Sequence, residues 1–363
     1  MKPRICFVIG VLAHTGGTER VCVNIANALS DVYDVTILST WKEGEPKFSI
    51  LEDVHIDYVM SGIDGKIYHF FNHYFDIKYR KYFTSHRYDI VIDVDLSLAQ
   101  YTIPALQNTH TKVIEWEQFN YKHSADNPDL SPSQQLAMKY SSKIVVLTKQ
   151  DYDMYRDNGQ VPTTRLMQIY NATPLVGSAP SPRTRHLAIA VGRLSKQKGF
   201  DILLRAWSLV ENSIADWELA IIGSGEEEQA LKALAAELVL QRVSFIPATK
   251  DIVSWYDKAS CFLLSSRYEG FVMVLLEAMA KGLPPVAFDC VAGPREIIDD
   301  GYNGFLVPMD GGYELFAKKT IELLKSHELQ DQFAVNARKC SEDFSISSIR
   351  KQWIDLIEHV LSE

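Results

Sequence analysis

Glu269 and Glu277 stand eight positions apart in Arg267-Tyr-Glu-Gly-Phe-Val-Met-Val-Leu-Leu-Glu277. The apolar run Cys261 to Leu264 before them reads as a buried strand, followed by the polar loop Ser265, Ser266, Arg267. Gly270 allows a tight turn, and Phe271 to Lys281 has helical apolar spacing. The first carboxylate is therefore expected at a strand's carboxyl end and the second about two turns into a helix. Open α/β sheets bind ligands at that end of their strands. A single such glutamate would ordinarily be a solvated surface acid. Glu277, however, lies among Val274, Leu275, Leu276, Ala278 and Met279, and a carboxylate among apolar residues needs a partner.

A second constellation is Gly192-Arg193-Leu194-Ser195-Lys196-Gln197-Lys198-Gly199, which follows the apolar run Leu187 to Val191. Arg193 and Lys198 would sit at a strand's carboxyl end just ahead of a helix starting near Phe200. Two cations beside a helix N-terminus suit a pyrophosphate, because the dipole and the free amides add to their charge. Alone, a basic loop is usually just solvated. Gly16-Gly17-Thr18-Glu19-Arg20 ends another apolar run, and paired glycines let backbone approach a ligand closely. It is not G-x-G-x-x-G, which weakens a nicotinamide reading, and a simple strand-to-helix turn explains it nearly as well. Ile222-Gly223-Ser224-Gly225-Glu226 reads as a structural turn. Asp93-Val94-Asp95 has a D-x-D form, but it closes a buried strand and reads as coincidental. No His, Cys and carboxylate cluster has metal-ligand spacing, so no metal site is expected.

The elements that must position these residues alternate. Ile5 to Val11, Val35 to Leu38, Ile90 to Val94, Val113 to Ile114 and Ile144 to Leu147 read as strands of a first domain. Leu187 to Val191, Trp217 to Ile222, Val243 to Ile246, Cys261 to Leu264 and Pro285 to Phe288 read as strands of a second. Helices are expected at Asp201 to Glu211, Glu226 to Leu240, Ile252 to Lys258 and Phe271 to Lys281. Strands alternating with helices imply parallel sheets covered on both faces. Between the halves, the segment from Asn171 to Arg185 carries Pro174, Gly177, Pro180 and Pro182 and reads as a linker. The expected organisation is an α/β chain with a first domain over residues 1–172, a joint at 173–185 and a second domain over 186–345. Two doubly wound domains would leave a cleft between facing sheet edges.

At 363 residues the chain is long enough for two cores. A formal net charge of −9 argues against nucleic acid as a partner. Five scattered cysteines with no C-x-x-C pair suggest reduced thiols and a cytosolic place. Lys2 and Arg4 ahead of Ile5 to Ala13 mimic a short signal peptide. A first strand ending in Thr15-Gly16-Gly17 and followed by an amphipathic helix is the preferred reading. No apolar stretch is long enough to span a bilayer. The segment from Lys66 to Arg87 holds Lys66, Lys78, Arg80, Lys81 and Arg87 against one acid, Asp76. Its stripe of Ile67, Phe70, Phe71, Tyr74 and Phe75 is most simply core. The basic remainder also suits an anionic membrane or a lipid-linked substrate, and with it a peripheral place on the cytoplasmic face of the inner membrane.

Together, Gly16-Gly17, G-R-L-x-x-x-K-G from Gly192 and E-G-F-x-x-x-x-x-E from Glu269 resemble the retaining glycosyltransferases of family 4, with the GT-B fold of two Rossmann-like domains. The narrower likeness is to bacterial enzymes that build lipid-linked oligosaccharides, capsules or O-antigens. The resemblance implies that Arg193 and Lys198 hold a nucleotide diphosphate, most commonly uridine diphosphate, and stabilise it as the leaving group. It implies that Glu277 accepts from the ribose and that Glu269 contacts the transferred sugar. Amides of Gly270, Phe271 and Val272 would lie near sugar and phosphate, Thr249 to Ile252 would border the base, and Gly16 and Gly17 would face the phosphates. The nucleotide sugar is then a co-substrate, with no separate cofactor. The C-terminal helix, about Ile346 to Leu361, is expected to cross back onto the first domain. Where many members carry a histidine near the sugar, the stretch Glu115-Trp-Glu-Gln118-Phe-Asn120 places Gln118. Gln118 can hydrogen-bond a sugar but cannot serve as general base near neutral pH. A nucleotide-sugar 2-epimerase and a non-catalytic nucleotide-sugar-binding protein of the same fold remain open.

Overall fold

The computed structural model describes residues 2–61, 72–291 and 293–363. Contacts divide the chain into two compact units, Met1–Ala172 with Ile346–Glu363, and Thr173–Ser345.

The first unit holds β1 (Arg4–Val11), β2 (Asp34–Lys42), β3 (Val54–Ser61), β4 (Ile90–Asp93), β5 (Lys112–Trp116), β6 (Lys143–Val146) and β7 (Leu166–Gln168). Among the described residues they form one sheet in the order β3-β2-β1-β4-β5-β6-β7, with parallel pairing throughout. The central strands are buried on both faces, as in Ile5 to Val8 and Ile90 to Ile92, which explains their near-continuous apolar sequence. β3 and β7 escape a reading of apolar runs. β3 (VHIDYVMS) interleaves polar residues as an outer strand, and β7 is three residues long.

The helix Ile346–Ser362 belongs to this unit. It buries Ile349, Trp353, Leu356, Ile357 and Val360, and Trp353 packs edge-on against Trp116 at 4.8 Å between ring centroids. Arg350 donates to the Ala28 carbonyl at 2.6 Å and to both Asp31 oxygens at 2.7 Å.

The second unit holds β8 (Leu187–Val191), β9 (Glu218–Ile222), β10 (Val243–Ile246), β11 (Cys261–Leu264), β12 (Pro285–Asp289) and β13 (Phe305–Pro308). They form a parallel sheet in the order β10-β9-β8-β11-β12-β13. Renumbered from its first strand this is 3-2-1-4-5-6, the order of a doubly wound nucleotide-binding sheet, whose direction of growth reverses between β8 and β11. β13 is a short edge strand ending in Pro308 and was not expected from the sequence; an edge tolerates the missing amide.

One further difference concerns the expected joint, while the basic aromatic stretch follows its helical spacing. The proline-rich joint is anchored to the second unit: Ser181 N–H donates to the Lys281 carbonyl at 2.8 Å, Ser181 Oγ to the Ala259 carbonyl at 2.7 Å, and Thr173 N–H to the Phe344 carbonyl at 3.0 Å. The basic aromatic stretch continues as the helix Asn72–Ser85. There Phe75, Tyr79 and Phe83 are buried, while Ile77, Arg80 and Lys81 are exposed. Lys66, Ile67, Phe70 and Phe71 lie outside the described residues. Among the described residues no helix is long and apolar enough to cross a membrane.

Candidate active site

Two loops leave the carboxyl ends of β8 and β11, where the second sheet reverses direction, and backbone and side-chain bonds stitch them together. Ser265 Oγ donates to the Lys198 carbonyl at 2.9 Å, Arg267 N–H to the Gln197 carbonyl at 2.8 Å, and Gln197 Nε2 to the Tyr268 carbonyl at 3.1 Å. Arg267 forks onto both oxygens of Asp201 at 2.8 and 2.7 Å and onto the Lys196 carbonyl at 2.8 Å. Gly199 makes the approach possible. Its φ is +63°, and a Cβ there would stand 2.1 Å from the Ser265 carbonyl oxygen.

That stitching sets Lys198 on Glu269. Lys198 Nζ donates to Oε1 at 2.7 Å and to Oε2 at 2.8 Å, with the side chains 18% and 6% exposed. Ser266 Oγ also donates to Oε1, and Glu269 N–H donates to the Val291 carbonyl at 3.2 Å, which ties the loop to the end of β12. The stem of Lys198 lies across Gly192, where an added Cβ would meet it at 3.2 Å. Cys290, also at the end of β12, completes the surroundings. Burial pushes its thiol up to about 12, with the nearby charge of Glu269 adding to the effect.

Arg193 is placed elsewhere. Its side chain is 72% exposed and Nε donates to Glu226 Oε2 at 3.2 Å. The expected cationic pair is thus divided between two acids, Lys198 on Glu269 and Arg193 on Glu226. The glycines beside Glu226 are structural, as expected. A Cβ on Gly223 would fall 1.8 Å from the Gly192 carbonyl oxygen, and one on Gly225 would fall 2.3 Å from that of Leu194.

Glu277 corrects one expectation. The helix runs Met273–Ala280, so Glu277 is just over one turn in rather than two. Gly270, Phe271 and Val272 stay outside it as a loop, because Glu269 is bonded to the β12 end and Gly293 sits against the Gly270 carbonyl. Glu277 is 1% exposed and accepts from Tyr256 Oη at 2.9 Å. Tyr256 lies in the helix Ile252–Lys258, whose first turn Asp251 caps by accepting from Ser254 N–H. Thr249 is exposed at the end of β10, its Oγ1 accepting from Asp251 N–H, and Ile252 is buried at the helix start. Tyr256, Ser266, Arg267 with Asp201, and Cys290 were not singled out from the sequence. Tyr256 carried the clearest signal, a tyrosine four residues after Ile252 on a buried helix face.

In the first unit, Gly16 and Gly17 form the turn after β1 and open the helix Gly17–Leu29, which has no side-chain cap. Gly17 has open space, with nothing within 4 Å of an added Cβ, whereas a Cβ on Gly16 would crowd Glu19 at 2.5 Å. Gln118 lies buried past β5, its Oε1 accepting from Asn171 Nδ2 at 3.1 Å. Beside it, Glu117 accepts from Tyr155 Oη at 2.7 Å and from Phe119 N–H at 3.0 Å, and burial holds it up to about 7. Asp93 and Glu115 are register partners on β4 and β5, both fully buried. Burial raises Asp93 to about 8, and raises Glu115 well above the usual carboxylate range with Asp93 adding. Asp95 accepts from Ser97 N–H at 2.7 Å. Among the described residues no group of three acids, histidines or cysteines is arranged to hold a metal ion.

Residues 176–340 match the glycosyl transferases group 1 family model and residues 15–176 the glycosyltransferase family 4 model. A glycosyltransferase of Haemophilus influenzae is 34% identical over 355 residues, spanning 96% of this chain and 98% of its own. The chain belongs to glycosyltransferase family 4. This glycosyltransferase is also similar to an alpha-1,4-N-acetyl-D-galactosaminyltransferase of Campylobacter jejuni named for a diNAcBac-PP-undecaprenol-linked acceptor. That enzyme is 25% identical, over 98% of this chain and 99% of its own. The HepE protein of Anabaena, solved with UDP and glucose, covers 98% of this chain and 99% of its own with a TM-score of 0.81 at 20% identity. That likeness is one of fold, and the family 4 glycosyltransferase has the GT-B fold of two Rossmann-like units.

Proposed function

We propose that this glycosyltransferase moves a sugar, with retention of configuration, from a uridine diphosphate sugar to a hydroxyl of a lipid-linked glycan during bacterial surface polysaccharide synthesis. The observation that carries this reading is the fork of Lys198 on Glu269 where the second sheet reverses direction. A diphosphate arriving there draws Lys198 from Glu269. The ammonium then faces the phosphates, and the freed carboxylate accepts hydroxyls of the sugar. Arg193, exposed and paired with Glu226, swings to the same diphosphate. Glu277 accepts the ribose hydroxyls while keeping Tyr256 as its internal partner. Thr249 to Ile252 border the base, and amides of Gly270 to Val272 lie beside sugar and phosphate. The nucleotide sugar is a co-substrate and no resident cofactor is called for.

In the reaction the bond from the anomeric carbon to the diphosphate oxygen breaks and the bond to the acceptor oxygen forms on the same face. The acceptor's proton passes to a donor phosphate oxygen, so no side-chain nucleophile is required. Charge developing on the leaving diphosphate is met by Lys198 and Arg193, which take the place of a divalent ion. The C. jejuni and Anabaena likenesses support the choice of lipid-linked acceptor and uridine donor.

The acceptor's lipid would hold the enzyme at the cytoplasmic face of the inner membrane. Exposed Ile77, Arg80, Lys81 and Arg87 on and after the helix Asn72–Ser85 support such a contact. Transfer and hydrolysis assays with purified protein, Lys198→Ala and Glu277→Ala test the reading. Turnover and nucleotide affinity unchanged in both variants would overturn it, and an epimerised sugar in the product NMR spectrum would replace it with an isomerase.

A further inference from the structure

Asn171 and Gln118 carry a hydrogen-bond imbalance that no other described residue corrects. Gln118 lies two residues past β5 and Asn171 three residues past β7, both at the carboxyl edge of the first unit's sheet. They are 9% and 3% exposed, and Asn171 Nδ2 donates to Gln118 Oε1 at 3.1 Å. The other atom of each amide, Gln118 Nε2 and Asn171 Oδ1, is shielded from solvent and has no partner among the described residues. Turning both amides over reverses the bond and still leaves one donor and one acceptor unmet. The neighbouring carboxylate of Glu117 does not supply the acceptor, being engaged by Tyr155 Oη and Phe119 N–H.

A hydroxyl is the group that answers both needs, donating once and accepting once. A phosphate oxygen would satisfy only the amide hydrogen, and an ammonium only the carbonyl oxygen. We propose that Asn171 and Gln118 act as one unit that reads a single hydroxyl of a sugar substrate, making Asn171 a specificity residue of the transferase. The inference rests on the function proposed above, and the hydroxyl belongs either to the donor sugar or to the acceptor sugar.

Single-deoxy substrates decide it. UDP-glucose, UDP-galactose and UDP-N-acetylglucosamine are assayed for hydrolysis and for transfer to a polyprenyl-pyrophosphate-linked N-acetylhexosamine. Monodeoxy forms of the active donor are then compared in one arm and of the acceptor in the other, using the parent, Asn171→Leu, Gln118→Met and the double variant. The expected result is one deoxy position, in one arm, that lowers the parent's kcat/KM by about 10- to 100-fold, the scale of one hydrogen bond to a buried group. In the variants the same deletion costs no more than about threefold, since the partner is already gone. The double variant melts no lower than the parent, because replacing both polar partners by apolar groups of similar shape is close to neutral. Equal deoxy penalties in parent and variants overturn the inference and leave a buried water as the occupant. A lowered melting point with the penalty intact overturns it in favour of a purely structural pair. A nucleotide-sugar panel with no turnover overturns the transferase reading and this inference together.

Discussion

Lys198 Nζ stands 2.7 and 2.8 Å from the two oxygens of Glu269, so this cation is neutralised before any ligand arrives. Each of the two mostly buried charges satisfies the other, and under the proposed function both would become available once a diphosphate exchanges for the carboxylate. Burying either charge alone would be costly. Lys198→Ala is therefore expected to lower kcat/KM by about 100- to 1000-fold, the scale of losing a preorganised charge on a leaving group. It should also lower the melting temperature, because Glu269 keeps only Ser266 and further polar neighbours as partners. Steady-state kinetics and thermal denaturation on the same preparation check both. A variant that loses activity with an unchanged melting temperature would refute the structural half of this account.

Nucleotide binding should register as thermal stabilisation, since a ligand held only by the folded state raises the apparent midpoint. UDP is expected to raise the midpoint of the parent and to raise it less in Glu277→Gln. In that variant the Tyr256 hydroxyl keeps an acceptor while the charge proposed to hold the ribose hydroxyls is gone. An identical shift in both proteins would show that Glu277 is only the internal partner of Tyr256.

Gly199 and Gly17 separate folding from binding. At Gly199 a Cβ meets the Ser265 carbonyl and the φ is +63°, so Gly199→Ala should cost about 1–3 kcal/mol and unfasten the two loops. Gly17 has open space, so Gly17→Ala should melt like the parent. Any change in its kinetics then reports on a ligand. Denaturant melts of the two variants, side by side, check the contrast.

The buried acids of the first unit predict a pH dependence. Asp93 is held up to about 8 by burial, against the 3.8 of a free aspartate, so the folded chain binds the proton more tightly than the unfolded one. Stability from this group is complete below pH 4 and is lost as pH rises toward 8. The groups that face it are Thr102, which still donates to an amide oxygen, together with Asp95 and Glu115. Asp93→Asn should accordingly match the parent near pH 4 and exceed it by a few kcal/mol, an order-of-magnitude figure, near pH 8. Chemical denaturation across that range would contradict the account if the difference between the two proteins did not grow with pH.

Strand runs such as Leu187–Val191 and Cys261–Leu264 were legible because strands buried on both faces are apolar throughout. β3, β7 and β13 were not, because outer or very short strands mix polar residues or end in proline. The pairing of loops was hidden for another reason. Arg267 and Asp201 are 66 positions apart, and their fork depends on which strands become neighbours. Glu277 declared its need for a partner through its apolar surroundings, yet the identity of that partner as Tyr256 required the packing of two helices. Arg193 and Lys198 looked alike in sequence. Only the side-chain geometry shows one exposed on Glu226 and the other enclosed with Glu269.

The central claim is that Lys198 exchanges Glu269 for a diphosphate. Calorimetric titration of UDP into the parent and into Lys198→Ala measures that exchange most directly. The account predicts binding at least about tenfold weaker in the variant, the scale of one charge-assisted contact. Equal affinity in the two proteins would contradict it.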